Sequence, residues 1–366
     1  MKTVIQVVQH LRPGGIEIIA LDLAAFAQAD EKTIIISLEG DLHSAVAAWP
    51  RLKPFSEQLI FLNKQPGLRP ALLLKLLRII KKTGADAVHT HHIGPLLYAG
   101  LAARLAGIKH LIHTEHDAWH LNNSRRRLVQ RRAVSLIRPI LVADAQTVAD
   151  NMRTFLQYKN KITIIRNGID SEYFTPGNKI MARAFFNLPS DVQLIGCSGR
   201  MEKVKGQSVL IHALSKLPVT VHLALAGSGS TETALRTLVN LLRLNNRVHF
   251  LGHIDNMPTF YQALDLFCLP SLNEGLPLSP LEAQSCNIAA LVTDVGGAKE
   301  TLCPDSSQFI AADDCTSMAE TLLQMLHNPS NNKPRAYVKQ HGDVRLMARS
   351  YAGLRGPLVT SGECYE

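Results

Sequence analysis

Two cations and two carboxylates in the second half of the chain have the types and spacing that phosphate and sugar chemistry uses. Arg200 and Lys205 lie in Gly199-Arg200-Met201-Glu202-Lys203-Val204-Lys205-Gly206, directly after the apolar run 194–197. Gly199 lets the backbone turn tightly at that point. A leaving nucleoside diphosphate gains negative charge as its bond to a sugar breaks, and cations already in place stabilise that charge as it forms. Glu274 and Glu282 lie in Glu274-Gly275-Leu276-Pro277-Leu278-Ser279-Pro280-Leu281-Glu282-Ala283, after the apolar run 266–269. Ser279 is expected to cap a helix there and Pro280 to take its first position, which sets Glu282 in the first turn. Such a helix end favours an anionic ligand such as a diphosphate. Glu282 has the chemistry to accept hydrogen bonds from a ribose diol, and Glu274 from sugar hydroxyls. A capping carboxylate, a solvated loop acid and a basic surface loop would use the same residues, so their placement decides.

The first half carries its own polar residues at strand ends. Arg12-Pro13-Gly14-Gly15-Ile16-Glu17 follows the first apolar run and opens an amphipathic helix; paired glycines there allow close backbone approach to a ligand. His89-Thr90-His91-His92 and His113-Thr114-Glu115-His116-Asp117 follow, each ending an apolar run. A set of histidines this dense raises zinc, but no HExxH or Cys/His spacing supports it, and no metal is expected. Strand-end packing and hydrogen bonding is the competing account of His89, His91 and His92.

The elements that must hold these residues are short β-like runs alternating with longer helical patterns. Strands are expected at 3–8, 32–37, 59–62, 87–90, 110–114, 139–143 and 162–165, and again at 194–197, 221–226, 248–250, 266–269, 290–293 and 308–310. Helices are expected at 16–28, 70–82, 95–106 and 280–285. Strands alternating with helices make βα units and mostly parallel sheets. The series breaks once, at the turn-rich stretch from Asn167-Gly168-Ile169-Asp170 to Pro176-Gly177-Asn178. The fold class is therefore α/β, with two doubly wound Rossmann-like domains facing across a cleft. Residues 1–172 form the first, 173–345 the second, and 346–366 a terminal helix and tail. Open parallel sheets bind ligands beyond the carboxyl ends of their strands.

Bulk composition agrees with this. The 366 residues are 46% hydrophobic and 19% charged, enough to build two cores and unlike a disordered chain. Residues 1–175 carry 23 Lys and Arg against 14 Asp and Glu, whereas the remainder carries 16 of each. The basic half is where an anionic surface or acceptor is expected. The six cysteines form no CxxC pair and read as free thiols. No run reaches the roughly 18 apolar residues of a spanning helix, and Gln6 breaks the N-terminal run too early for a signal peptide, so a cytoplasmic protein is expected.

Taken in order, GGxE, HTHH, TEH, NGID, GR…KG, AGSG and the E-x7-E pair Glu274/Glu282 resemble the retaining glycosyltransferases of family four, of the glycosyltransferase B fold. The resemblance runs from about residue 5 to about residue 300. It implies that Gly14 and Gly15 line the site near a donor diphosphate and that His116 stabilises the reacting centre beside the donor sugar. It implies that Arg200 and Lys205 clamp the diphosphate, with Gly199 shaping their loop and the backbone amides of Leu278 and Ser279 adding to the phosphate site. Glu274 would bind the donor sugar and Glu282 the ribose. Two departures stand out. Asn287-Ile288-Ala289-Ala290 replaces the family's Gly-x-Pro-Val, with Asn287 able to keep the left-handed turn. The final helices that cross back onto the first domain in the family are represented only by the short, polar stretch from 344 onward.

The function expected is transfer of a sugar, with retention, from a nucleotide-diphosphate sugar to a glycan or lipid-linked acceptor in bacterial cell-surface polysaccharide or glycolipid synthesis. The sugar nucleotide is the substrate and no cofactor is implied. With no carboxylate pair assignable on either side of the sugar, front-face substitution is favoured over double displacement. The basic and apolar helices at 70–82 and 125–132 suit peripheral contact with an anionic membrane, against the plain alternative of a solvated basic face. Nucleic acid is not expected, because no aromatic residue interleaves the arginine run. The alternatives are a nucleotide-sugar epimerase of the same fold and a catalytically dead sugar-nucleotide-binding subunit.

Overall fold

The computed structural model describes residues 1–329 and 333–356, so the end of the expected tail, with Cys364, lies outside the described residues. The chain forms two compact units. One takes in Met1–Asn167 and the segment from Val344 onward, the other Gly168–Asp343.

In the first unit the strands are β1 (Lys2–Val8), β2 (Glu31–Ser37), β3 (Leu59–Phe61), β4 (Ala87–His91), β5 (His110–Glu115), β6 (Ile140–Ala143) and β7 (Thr163–Ile164). They pair in the order β3-β2-β1-β4-β5-β6-β7, all parallel. Val4, Ile5, Val7 and Val8 of β1 and Ile35 and Ile36 of β2 are all buried. A parallel sheet covered by helices on both faces needs such near-continuous apolar strands, which is why they stand out in the sequence. The strand order reverses between β1 and β4, so the loop after β1 and the loop after β4 diverge to opposite faces and leave a crevice between them.

The second unit repeats the plan with β8 (Gln193–Ser198), β9 (Val221–Ala226), β10 (Val248–Gly252), β11 (Leu266–Leu269), β12 (Ala290–Thr293) and β13 (Gln308–Ile310). Their order is β10-β9-β8-β11-β12-β13, again parallel. Here the reversal falls between β8 and β11, the two strands that lead into the Arg200/Lys205 and Glu274 loops. Cys197 and Cys268 are buried on these strands as free thiols, and Cys197 is pushed up to about 12 by burial.

Three local features differ from the sequence expectation. The helix at 95–106 is interrupted by a π-helical turn, Leu96–Gly100, ahead of the regular turns Leu101–Leu105; Gly100 packs tightly against Leu96 and Ile137. The helix after Glu274 spans Ser279–Ser285 with Leu278, not Ser279, as its cap residue. The first intrahelical bond runs from Glu282 N to Leu278 O at 2.9 Å, and this backbone bond sets the boundary one residue early. The division between units falls at Asn167/Gly168 because the following segment is tied to the second unit. Ile169 N donates to Gly342 O at 2.9 Å, and Arg335 donates to Ser171 O at 2.8 Å and to Phe174 O at 2.6 Å.

The stretch from 344 does return to the first unit. Helix Val344–Gly353 buries Tyr351 against His89, with the Tyr351 hydroxyl 2.9 Å from Thr114 Oγ1. Arg345 lies over the Phe26 ring, and Arg355 forms a buried, two-pronged ion pair with Glu31 at 2.8 and 2.9 Å. Asn287, the other departure, holds φ +64°, the left-handed turn its type tolerates.

Candidate functional site

The second unit brings the two expected loops together at its strand-order reversal. Lys205 Nζ donates to Glu274 Oε1 at 2.6 Å, and Ser271 Oγ donates to the same oxygen at 2.6 Å. Two glycines make the approach possible. Gly206 sits at φ +64° with its α-carbon so close to the next loop that an added Cβ would lie 2.0 Å from Pro270 O. Gly296 sits at φ +54°, where a Cβ would lie 1.9 Å from Glu274 O. The Lys205 and Glu274 loops are thus fixed by backbone contact on two sides.

Arg200 is exposed, and its guanidinium makes no hydrogen bond or ion pair among the described residues. Its backbone is anchored instead, with Gln207 Nε2 donating to Arg200 O at 3.0 Å. Gly199, at φ +138°, turns the chain out of β8. Glu202 closes this loop over the next one by accepting from Ser230 Oγ at 2.6 Å and from Ser230 N at 3.3 Å. These hydrogen bonds hold its carboxyl below the usual range. The loop thus carries Lys205 paired with Glu274 and, on its exposed side, Arg200 and Lys203.

Glu282 lies in the first turn of helix Ser279–Ser285, where the Tyr261 hydroxyl donates to Glu282 Oε2 at 2.5 Å. Tyr261 is fully buried, and its oxygen also lies 3.0 Å from Ser198 Oγ at the end of β8. Neither Tyr261 nor Ser198, nor Ser271 and Glu202, is marked by sequence reasoning. Leu278 is buried and Ser279 half-buried at the helix start.

In the first unit, Gly14 precedes helix Gly15–Ala25 as its cap residue; a Cβ there would lie 2.4 Å from Glu17 Oε2, while Gly15 has open space. His92 follows β4 at φ +67°, a strained conformation for a non-glycine residue and a common mark of a functional position. His116, just after β5, is only 5% exposed. Its Nε2 is 2.9 Å from His91 Nδ1 and its Nδ1 is 3.5 Å from Asp144 Oδ2. His91 Nε2 in turn meets Gln6 Oε1 at 2.9 Å, so the imidazole of His116 is oriented by a buried polar chain. A second cluster centres on Glu115, which faces His92 and His113 at 3.4 Å each and accepts from Gln130. Burial opposes the charge on His120, but Asp117, Glu115 and Gln130 outweigh it and push its pKa up to about 9. Burial holds His89 and His91 well below the usual histidine range. Among the described residues no group of three or more His, Cys, Asp or Glu is placed to hold a metal ion.

Two doubly wound parallel-sheet units in one chain are the architecture of the glycosyltransferase B fold. Solved structures share this fold. A glycosyltransferase of Rickettsia africae ESF-5 matches with TM-score 0.83 at 22% identity, covering 99% of both chains. HepE of Anabaena, in complex with UDP, matches with TM-score 0.82 at 21% identity, covering 96% of this chain and 98% of that one.

Two family models place the chain more narrowly. Residues 13–173 match Glycosyltransferase Family 4 and residues 179–343 match Glycosyl transferases group 1. The chain belongs to glycosyltransferase family four. Among its curated relatives, the D-inositol 3-phosphate glycosyltransferase of Mycolicibacterium smegmatis is 33% identical over 175 residues, 46% of this chain and 40% of the relative. That of Corynebacterium urealyticum is 28% identical over 284 residues, 70% of this chain and 67% of the relative. The lipopolysaccharide core mannosyltransferase LpsB of Rhizobium meliloti is 27% identical over 217 residues, 56% and 61%. The chain thus spans about two fifths to two thirds of these relatives' length. All are transferases, and the epimerase reading finds no support among them.

Proposed function

We propose that the chain transfers a sugar, with retention of anomeric configuration, from a nucleoside diphosphate sugar to a glycan or lipid-linked acceptor of the bacterial cell surface. The observation that carries this is the meeting of the Arg200/Lys205 loop with the Glu274 loop at the switch point of the second unit, fastened by the 2.6 Å pair of Lys205 and Glu274. In this reading Arg200 and Lys205 hold the diphosphate, Glu274 the sugar hydroxyls and Glu282 the ribose. For His116, Gly14 and Gly15 the support is the family resemblance.

The bond from the sugar's anomeric carbon to the diphosphate oxygen breaks as the bond to the acceptor oxygen forms on the same face. The leaving phosphate oxygen takes the acceptor's proton. Arg200 and Lys205 stabilise the charge that develops there, so no metal ion is invoked. The names of the relatives and the UDP and UDP-glucose bound to HepE support a sugar nucleotide as donor. Nuclear magnetic resonance of the product tests retention: an anomeric centre opposite to the donor's would overturn it. Transfer surviving a chelator is expected, and its complete loss, restored by a divalent cation, would overturn metal independence.

The acceptor-side reading rests on helix Ser124–Ile137 of the first unit. Its first turn holds Arg125, Arg126 and Arg127, where the helix dipole disfavours cations, and it contains no acidic residue. Leu128 and Leu136 are exposed on it, Leu136 by 74%, and nearby Trp119 is 55% exposed. A cationic, partly apolar face of this kind fits peripheral contact with an anionic membrane at the cytoplasmic side. Among the described residues no helix is long and apolar enough to cross a membrane.

A further inference from the structure

Beneath the assigned donor site of the second unit runs a short buried polar thread. Tyr261 sits in helix Met257–Gln262 with its ring fully enclosed, packed against Phe174, Phe260 and Phe267. Its hydroxyl has one proton, and the 2.5 Å bond to Glu282 Oε2 takes it, since an ionised carboxylate only accepts. The 3.0 Å contact with Ser198 therefore runs the other way, with Ser198 Oγ donating to the Tyr261 oxygen. Ser198 is the last residue of β8, immediately before Gly199 and Arg200. Glu282 is on the far side of the reversal, one turn into the helix that follows β11. The thread Ser198–Tyr261–Glu282 thus joins the loop that carries the cations to the carboxylate assigned to ribose. Among the described residues no backbone hydrogen bond runs from this loop to Glu282, although Leu272 N donates to Val204 O at 2.8 Å between the two loops. Charge-assisted hydrogen bonds in a water-poor setting are short and directional, and a donor proton feeding one polarises the next.

We propose that Tyr261 is a positioning residue for ribose recognition: it fixes the orientation of the Glu282 carboxylate relative to the diphosphate loop, so that the enzyme distinguishes a ribose diol from a sugar lacking it. This rests on the donor-site reading above. Tyr261 has no path to the ligand itself, because its ring is buried and its hydroxyl is consumed by Glu282 and Ser198. Its effect is confined to the part of the nucleotide that Glu282 touches.

The test compares binding of UDP, the nucleotide held by HepE, with that of 2′,3′-dideoxyuridine diphosphate, by calorimetry, with GDP and ADP as parallel probes of the base. A hydrogen bond to a charged group is worth about 1.5–3 kcal/mol, so wild type is expected to favour the ribose form by roughly tenfold or more. Tyr261→Phe is expected to weaken UDP about tenfold and the dideoxy form less than twofold, collapsing the preference while the melting temperature stays close to wild type. Ser198→Ala, which leaves the aromatic core untouched, is expected to shift the same preference in the same direction by a few-fold. It keeps the test decisive should Tyr261→Phe fold poorly. A preference for the ribose form left intact in both variants, or equal weakening of both nucleotides, would overturn the inference. A wild type that binds none of the three diphosphates would overturn the donor-site reading, and the inference with it.

Discussion

Lys205 and Glu274 form an ion pair 2.6 Å long although they are 69 residues apart, and their side chains are only 21% and 8% exposed. The pair exists because β8 and β11 are neighbours and Gly206 lets one loop lie on the other. In the proposed donor-site reading, a diphosphate entering this site competes with Glu274 for Lys205, while Arg200 is exposed and attracted electrostatically to Glu202. In that reading, binding exchanges one anionic partner of Lys205 for another and frees Glu274 for the sugar.

The two residues should therefore act as a unit. Lys205→Ala and Glu274→Ala are each expected to lower kcat/KM by about 10²–10³-fold, the size of losing one preorganised electrostatic contact. The double variant is expected to lose far less than the product of the two, because removing either releases the other. Steady-state kinetics of all four proteins checks this; strictly multiplicative losses would show the pair to be incidental.

Gly206 and Gly296 are expected to be among the least replaceable residues of the second unit. Gly206→Ala forces a Cβ to within 2.0 Å of a backbone oxygen at a left-handed φ, and neither atom belongs to a flexible side chain. A loss of about 2 kcal/mol or more is expected, which lowers the melting temperature of a unit this size by roughly 4–8 °C. Gly15→Ala, with open space around the added carbon, serves as the control and is expected to change stability little.

The histidines of the first unit set its pH dependence from both sides. His120 has its pKa raised to about 9 and His92 also has its pKa raised, so their stabilisation is fully present below about 6.5 and is lost as pH rises through the folded values. His89 and His91 have their pKa values lowered, so below about 6.5 only the unfolded chain binds their protons. Stability then falls by up to about 1.4 kcal/mol per pH unit for each. Denaturant unfolding across pH 5 to 9 is expected to show a maximum near pH 6–7. A flat profile would mean that these histidines are not held as described.

Replacing Arg125, Arg126, Arg131 and Arg132 with glutamate is expected to abolish flotation with vesicles rich in anionic lipid while leaving donor-nucleotide binding unchanged. Flotation of the wild type that is absent at moderate salt would remove the membrane from the account.

Much of this fold is legible in the sequence because a parallel sheet buried on both faces leaves continuous apolar runs, as in β1, β8 and β11. β7 is reduced to Thr163–Ile164 at the sheet edge, where the pattern is weakest. Charged residues at strand ends, such as Arg200, Lys205 and Glu274, stand out because a core has no use for them. Tyr261 does not, since a tyrosine amid Phe260, Ala263 and Leu264 reads as core, and its partner Glu282 is 21 residues away. Only the strand order brings Ser198, Tyr261 and Glu282 to one place. The cap at Leu278 in place of Ser279 has a similar origin, because a backbone bond and not the side-chain type decides the boundary. His116 stands out as a polar residue at a strand end, but its enclosure by His91 and Asp144 depends on three different strand ends meeting.

In the proposed reading the second unit holds a sugar nucleotide through Arg200, Lys205, Glu274 and Glu282. Thermal unfolding with UDP-, GDP- and ADP-sugars tests it most directly, on wild type and on Lys205→Ala and Glu282→Ala. A donor at a hundred times its dissociation constant stabilises the folded state by about 2.7 kcal/mol, so one of the three is expected to raise the wild-type melting temperature by roughly 5–10 °C. Both variants are expected to lose most of that shift. Equal shifts in all three proteins would contradict the assignment of the site.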